Sequence, residues 1–250
     1  MKQNSILISF LIGLTMISCN NESVQPSSTK NQQDKPVDQQ PVRAIMKDTL
    51  TIQESDSFQL NNVHFTFIPT KQEPIPEFLE AHNIRISGGQ RAYFETNANR
   101  LLLFLENADT LSLLSNQAKQ YSFYCHIPSI DYYLIKETRP EGFAFLLVNR
   151  KNGFQQPILG WPYVSPEKEK IFVINQDLIA GHQFNGFQLF SIASGKLVEK
   201  ATIQVMNWEP EGVMWKDSQT IILKKRYIRP LPDKETLSFD TRFSLVKIKG

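Results

Sequence analysis

From Val63 to Ile248 the chain is written in short apolar runs separated by turn residues, and no feature limits its fold more. The runs are Val63 to Ile68, Arg91 to Glu95, Leu101 to Leu105, Thr110 to Leu114, Tyr121 to Cys125, Tyr132 to Ile135 and Phe143 to Val148. They continue at Ile171 to Ile174, Gly186 to Ile192, Ala201 to Val205, Thr220 to Leu223 and Phe243 to Ile248. Each has strand length and is apolar at every second position or continuously, the two patterns of a strand buried on one face or on both. One stretch departs from this: Pro76 to His82 predicts a short helix with Pro in its first turn. Many short strands with turn chemistry between them predict an all-β sandwich, barrel or propeller and argue against βαβ units.

A weak internal repeat favours the propeller. The turn signals Asn107-Ala108-Asp109, Asn152-Gly153 and Ser194-Gly195 each follow a strand rich in Leu or Phe and recur about every 42 to 45 residues, one four-stranded blade apart. Two segments, Trp161 to Ile174 and Pro210 to Leu223, read as hairpins, an aromatic-containing strand turning back into a β-rich one. In Ser165-Pro166-Glu167 followed by Lys170 and Ile171, and more loosely in Trp215-Lys216-Asp217-Ser218, the chain resembles the WD40-like or TolB-type β-propeller repeat, with Glu for Asp and no Gly in the turn. That resemblance spans roughly Tyr132 to Tyr227 and implies a propeller-like array of small antiparallel sheets. The segment Asn175 to Phe190 is also similar to uncharacterised bacterial exported proteins, a likeness that implies no activity. A β-sandwich is the alternative fold, since its strand pattern looks much the same. About 205 residues, at roughly 45 per blade, allow four or five blades, so an open or partial stack is expected. The terminal run Phe243 to Ile248 is expected either to close the last blade or to pair with the first.

The N-terminus says where such a domain works. One Lys at position 2 precedes an apolar core from Ile6 to Ile17, too short to span a bilayer comfortably, and a small residue, Ser18, stands before Cys19. The stretch resembles the bacterial lipobox, with Met16 and Ile17 where that pattern prefers Leu and a small residue. The resemblance implies removal of residues 1–18 and acylation of Cys19, palmitate being among the acyl chains this implies. At roughly 0.8 kcal/mol per methylene, two or three chains would hold the protein on a membrane essentially permanently. An ordinary signal peptide with an unrelated Cys, or an uncleaved apolar anchor, are the alternatives. By resemblance to lipoproteins of two-membrane bacteria, the outer membrane is expected in preference to the inner one.

From Asn20 to about Ile45 the composition changes to Asn, Gln, Ser, Pro, Asp and Lys with no aromatic residue. Such a segment buries too little apolar surface to offset its ordering entropy, so residues 19–45 are expected to form a lipidated, disordered tether with a reach on the order of 25 to 30 Å. Residues 46–250 are expected to be a single all-β domain. The formal net charge is +2, and the short basic run Lys224-Lys225-Arg226 with Arg229 reads as solvated strand-edge charge, so nucleic acid is not an expected partner. With Cys19 acylated, Cys125 has no disulfide partner and reads as a small buried thiol.

Between two convincing strands, the segment Asp177 to Gly186 is too polar for a core, and Asp177, His182 and Asn185 are the candidate binding residues it offers. The competing reading has Gly181 and Gly186 supplying positive φ while the Asp and Asn side chains bond the loop backbone. A nucleophile elbow, a His-Glu-x-x-His helix, a phosphate-cradling Gly-rich loop and a zinc-spaced Cys pair are all missing from the sequence. The four His residues, 64, 82, 126 and 182, are scattered, and nothing in sequence pairs Asp131, Glu137 and Asp177. No catalytic residue, metal or cofactor is assigned. The expectation is a membrane-anchored, non-catalytic binding or scaffold module of the cell envelope, meeting an envelope protein or a small ligand. A hydrolase or lyase with a site assembled from distant loops is the alternative.

Overall fold

Seventeen strands and no helix make up the described residues, which in this computed structural model are 48–50, 56–73, 93–230 and 237–250, all within the unit Ile45–Gly250. The expected signal and tether, Cys19, and the expected helix at Pro76 to His82 lie outside the described residues. The strands form four small sheets, antiparallel apart from one short parallel pairing, so the described residues are all-β, in an arrangement that fits a propeller-like array or a sandwich. Sheet I holds β4 (Phe94–Asn97), β5 (Arg100–Phe104) and β6 (Thr110–Leu114). Sheet II holds β7 (Gln120–Ile127), β8 (Tyr132–Arg139), β9 (Gly142–Asn149) and β10 (Gln155–Ile158). Sheet III holds β11 (Trp161–Val164), β12 (Lys170–Asn175), β13 (Gly186–Ala193) and β14 (Lys196–Val205), with β1 (Asp48–Leu50) parallel to β14 at its edge. Sheet IV runs β15 (Glu209–Asp217), β16 (Thr220–Pro230), β17 (Leu237–Lys249), β3 (Val63–Thr70) and β2 (Ser57–Leu60).

Side-chain alternation dictates how these sheets meet. In β8, Tyr132 and Leu134 face sheet III while Tyr133 and Ile135 face sheet I; in β12, Ile171 and Val173 face sheet II while Phe172 and Ile174 face sheet IV. Sheets II and III are therefore buried on both faces, which is why their strands read as continuous apolar runs. β3 has core on one face only and alternates, with Val63, Phe65 and Phe67 inward and His64, Thr66 and Ile68 between them. Three apolar layers result, I against II, II against III and III against IV, and among the described residues no such layer joins sheet IV back to sheet I.

The sequence repeat is the repeat of the sheets. Asn107-Ala108-Asp109 lies between β5 and β6, Asn152-Gly153 between β9 and β10, and Ser194-Gly195 between β13 and β14. Each turn needs left-handed backbone, supplied at Ala108 (φ 64°), Gly153 (φ 71°), and Ser194 and Gly195 (φ 52° and 70°). Residues at the three positions touch their counterparts in the next sheet: Arg150 Nη1 donates to Glu106 Oε1 at 2.9 Å, and Asn149 Nδ2 and Tyr132 OH donate to Gly195 O at 2.9 and 2.8 Å. Lys170 Nζ continues the series, reaching Ser218 O between β15 and β16 at 2.9 Å. These contacts define the turn end of the stack. The opposite end carries the longer segment between β12 and β13, and is called the loop end.

The terminal run Phe243 to Ile248 lies inside β17, in the last sheet as expected, where it pairs with β16 on one side and with the N-terminal strand β3 on the other. One expectation is corrected by sheet IV. The basic run is not solvated edge charge, because β16 is an interior strand and Lys225 shares the inward face of Ile221 and Leu223. Lys225 is fully buried, its ammonium 5.5 to 5.8 Å from the ring centroids of Trp208, Tyr227 and Phe67, the cation–π geometry that makes such burial tolerable. Lys224 and Arg226, on the outer face, pair with Glu211 and Glu209.

Phe65 and Phe67 carry β3 into the layer between sheets III and IV, with ring centroids 5.9 and 6.3 Å from that of Phe187 on β13. Truncating Phe67 to Ala is expected to cost about 3 to 5 kcal/mol in urea unfolding. The same change at Phe154, which is exposed, should stay within about 0.5 kcal/mol.

Candidate functional site

Residues 176–185 form the longest described connection within a sheet, and their polar side chains turn inward to hold it together. The Asp177 carbonyl accepts Gly181 N–H at 3.0 Å, with Gly181 at φ 66°, and the Asp177 carboxylate accepts Gln183 N–H. Asp177 N–H donates to Asn185 Oδ1 at 3.3 Å, so the two ends of the loop are brought together. Asn185 is buried, and its Nδ2 donates to Val205 O at 2.8 Å and Trp208 O at 2.9 Å. It thereby fixes the loop to the end of β14 and to the connection into sheet IV. Gly186 follows at φ 152°, where a Cβ would lie 2.1 Å from Ile203 O, so only glycine fits.

The same loop reaches both neighbouring sheets. Gln183 Nε2 donates to Glu141 O at 3.3 Å, between β8 and β9. It fills the space above Gly142, whose φ is 142° and whose Cβ would fall 1.5 Å from that nitrogen. On the other side Leu178 N–H donates to Glu209 Oε2 at 3.3 Å, and buried Glu209 is paired with Arg226. The loop is a clasp across sheets II, III and IV. His182 stands apart from it: the side chain is exposed, and no described residue bonds to it.

Asp131, Glu137 and Asp177 fall into three separate networks. Glu137 takes Arg139 and Lys119, and burial, aided by the Glu137 carboxylate, pushes the Tyr121 hydroxyl up to about 12. Asp131, in the turn between β7 and β8 at φ 58°, accepts His126 Nε2 and Arg150 Nη1, each at 3.0 Å. The His126 ring lies 5.0 Å from Tyr93 and 5.6 Å from Tyr133 between centroids, and Tyr133 OH donates to Phe104 O at 2.6 Å. His126, Asp131, Arg150 and Glu106 therefore join sheets I and II at the turn end. Burial acts to raise the Asp131 carboxyl, but hydrogen bonds from Arg150 and His126 outweigh it and hold the group below the ordinary aspartate value. Cys125 is free and buried, and burial pushes its thiol up to about 11, away from thiolate chemistry.

Among the described residues no group of three or more His, Cys, Asp or Glu side chains is arranged to hold a metal ion. A shallow groove of about 350 Å³ lies at the loop end, lined by Pro69, Thr70, Lys71, Thr241, Arg242 and Phe243, where β3 stops and β17 runs on. Gln183, Glu209 and Arg226 were not singled out from the sequence as partners of the loop. The glycines at 142 and 186 are the only local trace of it, since each marks a close approach whose partner sequence does not name. Comparison with protein-family models, with curated proteins and with solved structures finds no match.

Replacing Asn185 by Ala leaves two buried carbonyls without their donor and is expected to cost about 2 to 3 kcal/mol. His182→Ala should change stability by no more than about 0.5 kcal/mol, both being read by chemical denaturation. Because the Asp131 carboxyl is depressed in the folded protein, its contribution is complete above the ordinary carboxylate range and is lost as pH falls through the lowered value. Asp131→Asn should flatten that acid limb of the stability profile. An unchanged limb would remove Asp131 from the seam between sheets I and II.

Proposed function

We propose that the chain is a lipid-anchored protein of the bacterial cell envelope, outer membrane in preference to inner, whose folded unit is a non-catalytic binding or scaffold module. In this reading Cys19 carries the acyl chains, residues 19–45 are the tether, and the stack is an open array of the WD40-like or TolB-type repeat. The anchor rests on the apolar run and Cys19 of the sequence. One observation carries the non-catalytic part: Asp131, Glu137, Asp177, Asn185 and Glu209 each bond to groups that join strands, turns or sheets, and do not converge on a cavity. Enzyme sites are recognised by the opposite arrangement, titratable groups gathered in one pocket. A hydrolase or lyase has one arrangement in its favour, the His126–Asp131 pair at 3.0 Å. Both members already hold a seam between sheets, which favours the binding module.

The test compares the full chain with its Cys19→Ala form by membrane fractionation, followed by mild crosslinking and mass spectrometry. Cys19→Ala is expected to leave the membrane fraction, and both forms are expected to capture the same envelope protein. Retention of Cys19→Ala would assign anchoring to the apolar run. A small molecule retained by the folded unit in place of a shared protein would replace the scaffold reading with a ligand-binding or catalytic one.

A further inference from the structure

The strands of sheet IV do not end together. β3 stops at Thr70 opposite Phe243, while β17 extends back to Leu237, still paired with β16 on its other side. Gln72 N–H donates to Thr70 Oγ1 at 3.2 Å as the chain leaves the strand. Among the described strands, none pairs with Leu237–Arg242 on the side that β3 vacates. The shallow groove lined by Pro69, Thr70, Lys71, Thr241, Arg242 and Phe243 lies at that step. The described pairing of β15 likewise starts only at Arg226, so Tyr227–Pro230 and Leu237–Arg242 form a two-stranded arm.

Which backbone groups face the step follows from the ladder. Ile248 N–H donates to Gln219 O at 2.7 Å, on the β16 side, and β16 pairs with β17 from Thr220 to Pro230 without a shift of register. Even-numbered residues of β17 therefore turn their N–H and C=O toward β16, and Leu237, Phe239 and Thr241 turn theirs toward the vacated side. β3 gives the same phase: Phe67 N–H donates to Asp56 O at 2.9 Å on the β2 side, which leaves the even-numbered residues of β3 to face odd-numbered ones of β17. The side chains of Leu237 and Phe239 share one face of the sheet and are 41 % and 52 % exposed.

Other sheet edges among the described strands are defended. β1, β2, β4, β10 and β11 have only three or four residues each, and β10 and β11 contain Pro157 and Pro162. β6 has five residues, and the longer β7 and β15 are interrupted by register shifts. Short edges, prolines and bulges are the devices that keep a sheet from accepting another strand. The thirteen residues of β17 carry none of the three.

We propose that Leu237–Arg242 is a strand-addition site, at which an extended segment of a partner protein continues the line of β3. The segment bonds to the backbone of Phe239 and Thr241 and lays apolar side chains, at alternate positions, beside Leu237 and Phe239. The inference rests on the binding-module reading above and adds the chemistry of the partner to it. Backbone donors and acceptors repeated at strand spacing select an extended peptide over a compact ligand. A second copy fits less well, because in a two-fold pairing of this edge with itself each arm would run into the end of the other's β3.

The full chain in native membranes tests this by mild crosslinking and peptide mapping, with Thr241→Pro, Thr241→Val and Phe239→Asp beside the unaltered protein. Proline at 241 removes a donor that β16 does not use, and valine keeps it. Capture is expected to fall roughly tenfold in Thr241→Pro, the order of one lost backbone hydrogen bond, and to be unchanged in Thr241→Val. Phe239→Asp, at an exposed side chain, should weaken capture as well, and the crosslinked partner peptide should be apolar at alternate positions. In the purified full chain the Phe239 and Thr241 amides should exchange faster than that of Ile248, and become protected in the complex. Slow exchange of both in the chain alone would show the edge already filled, and protection that rises with protein concentration alone would assign it to a second copy; either overturns the proposal. The same envelope protein captured equally by all forms would overturn the edge while upholding the binding module. A small molecule retained in place of any protein would overturn both.

Discussion

The pairing of β3 with β17 is the contact on which the rest of the unit depends. It joins His64–Thr70 to Phe243–Lys249, residues from opposite ends of the folded chain, in one antiparallel ladder. It makes β17 an interior strand and delivers Val63, Phe65 and Phe67 to the largest apolar layer, where they meet Phe187 and Trp208. Without it sheet IV would end at a bare edge on β17, and Lys225 would lose one of the three rings around its ammonium. Among the described strands the ladder is also the most non-local, so its chain-closure entropy has to be offset by the layer it completes.

Polar side chains finish what the apolar layers begin. Stacked antiparallel sheets expose their turns at two ends, and each seam here is closed by named donors: Arg150 between I and II, Asn149 and Tyr132 between II and III, Lys170 between III and IV. At the opposite end the clasp from Asp177 to Asn185 spans three sheets at once. Such bonds contribute modestly when formed but leave costly orphans when broken, which is how the stack keeps its sheets in register.

Much of this architecture was legible in the sequence because the signals were local. Strand-length runs marked most of the strands, and three turns about 42 to 45 residues apart marked successive sheets, since turn residues gather where the backbone turns left-handed, at Ala108 between Asn107 and Asp109, at Gly153 and at Ser194-Gly195. The hairpins of β11 with β12 and β15 with β16 were visible for the same reason. What escaped was long-range. That Val63 to Thr70 belongs to the last sheet follows from pairing across the whole unit, which no local pattern encodes. Lys225 was misread because a charged run looks solvated until the strand around it is known to be interior. In the loop, Gly181 and Gly186 showed that its backbone turns sharply, but its anchoring partners Glu141, Glu209 and Val205 lie in other elements.

Native-state hydrogen exchange on the full chain tests the central role of the β3–β17 ladder most directly. If the ladder completes the core, amides of Phe65 and Phe67 should exchange as slowly as those of Leu189 on β13 and Leu223 on β16, opening only with the whole unit. Rapid exchange along β3 beside slow exchange in β13 and β16 would contradict this, making β3 a late addition to a stack that stands without it.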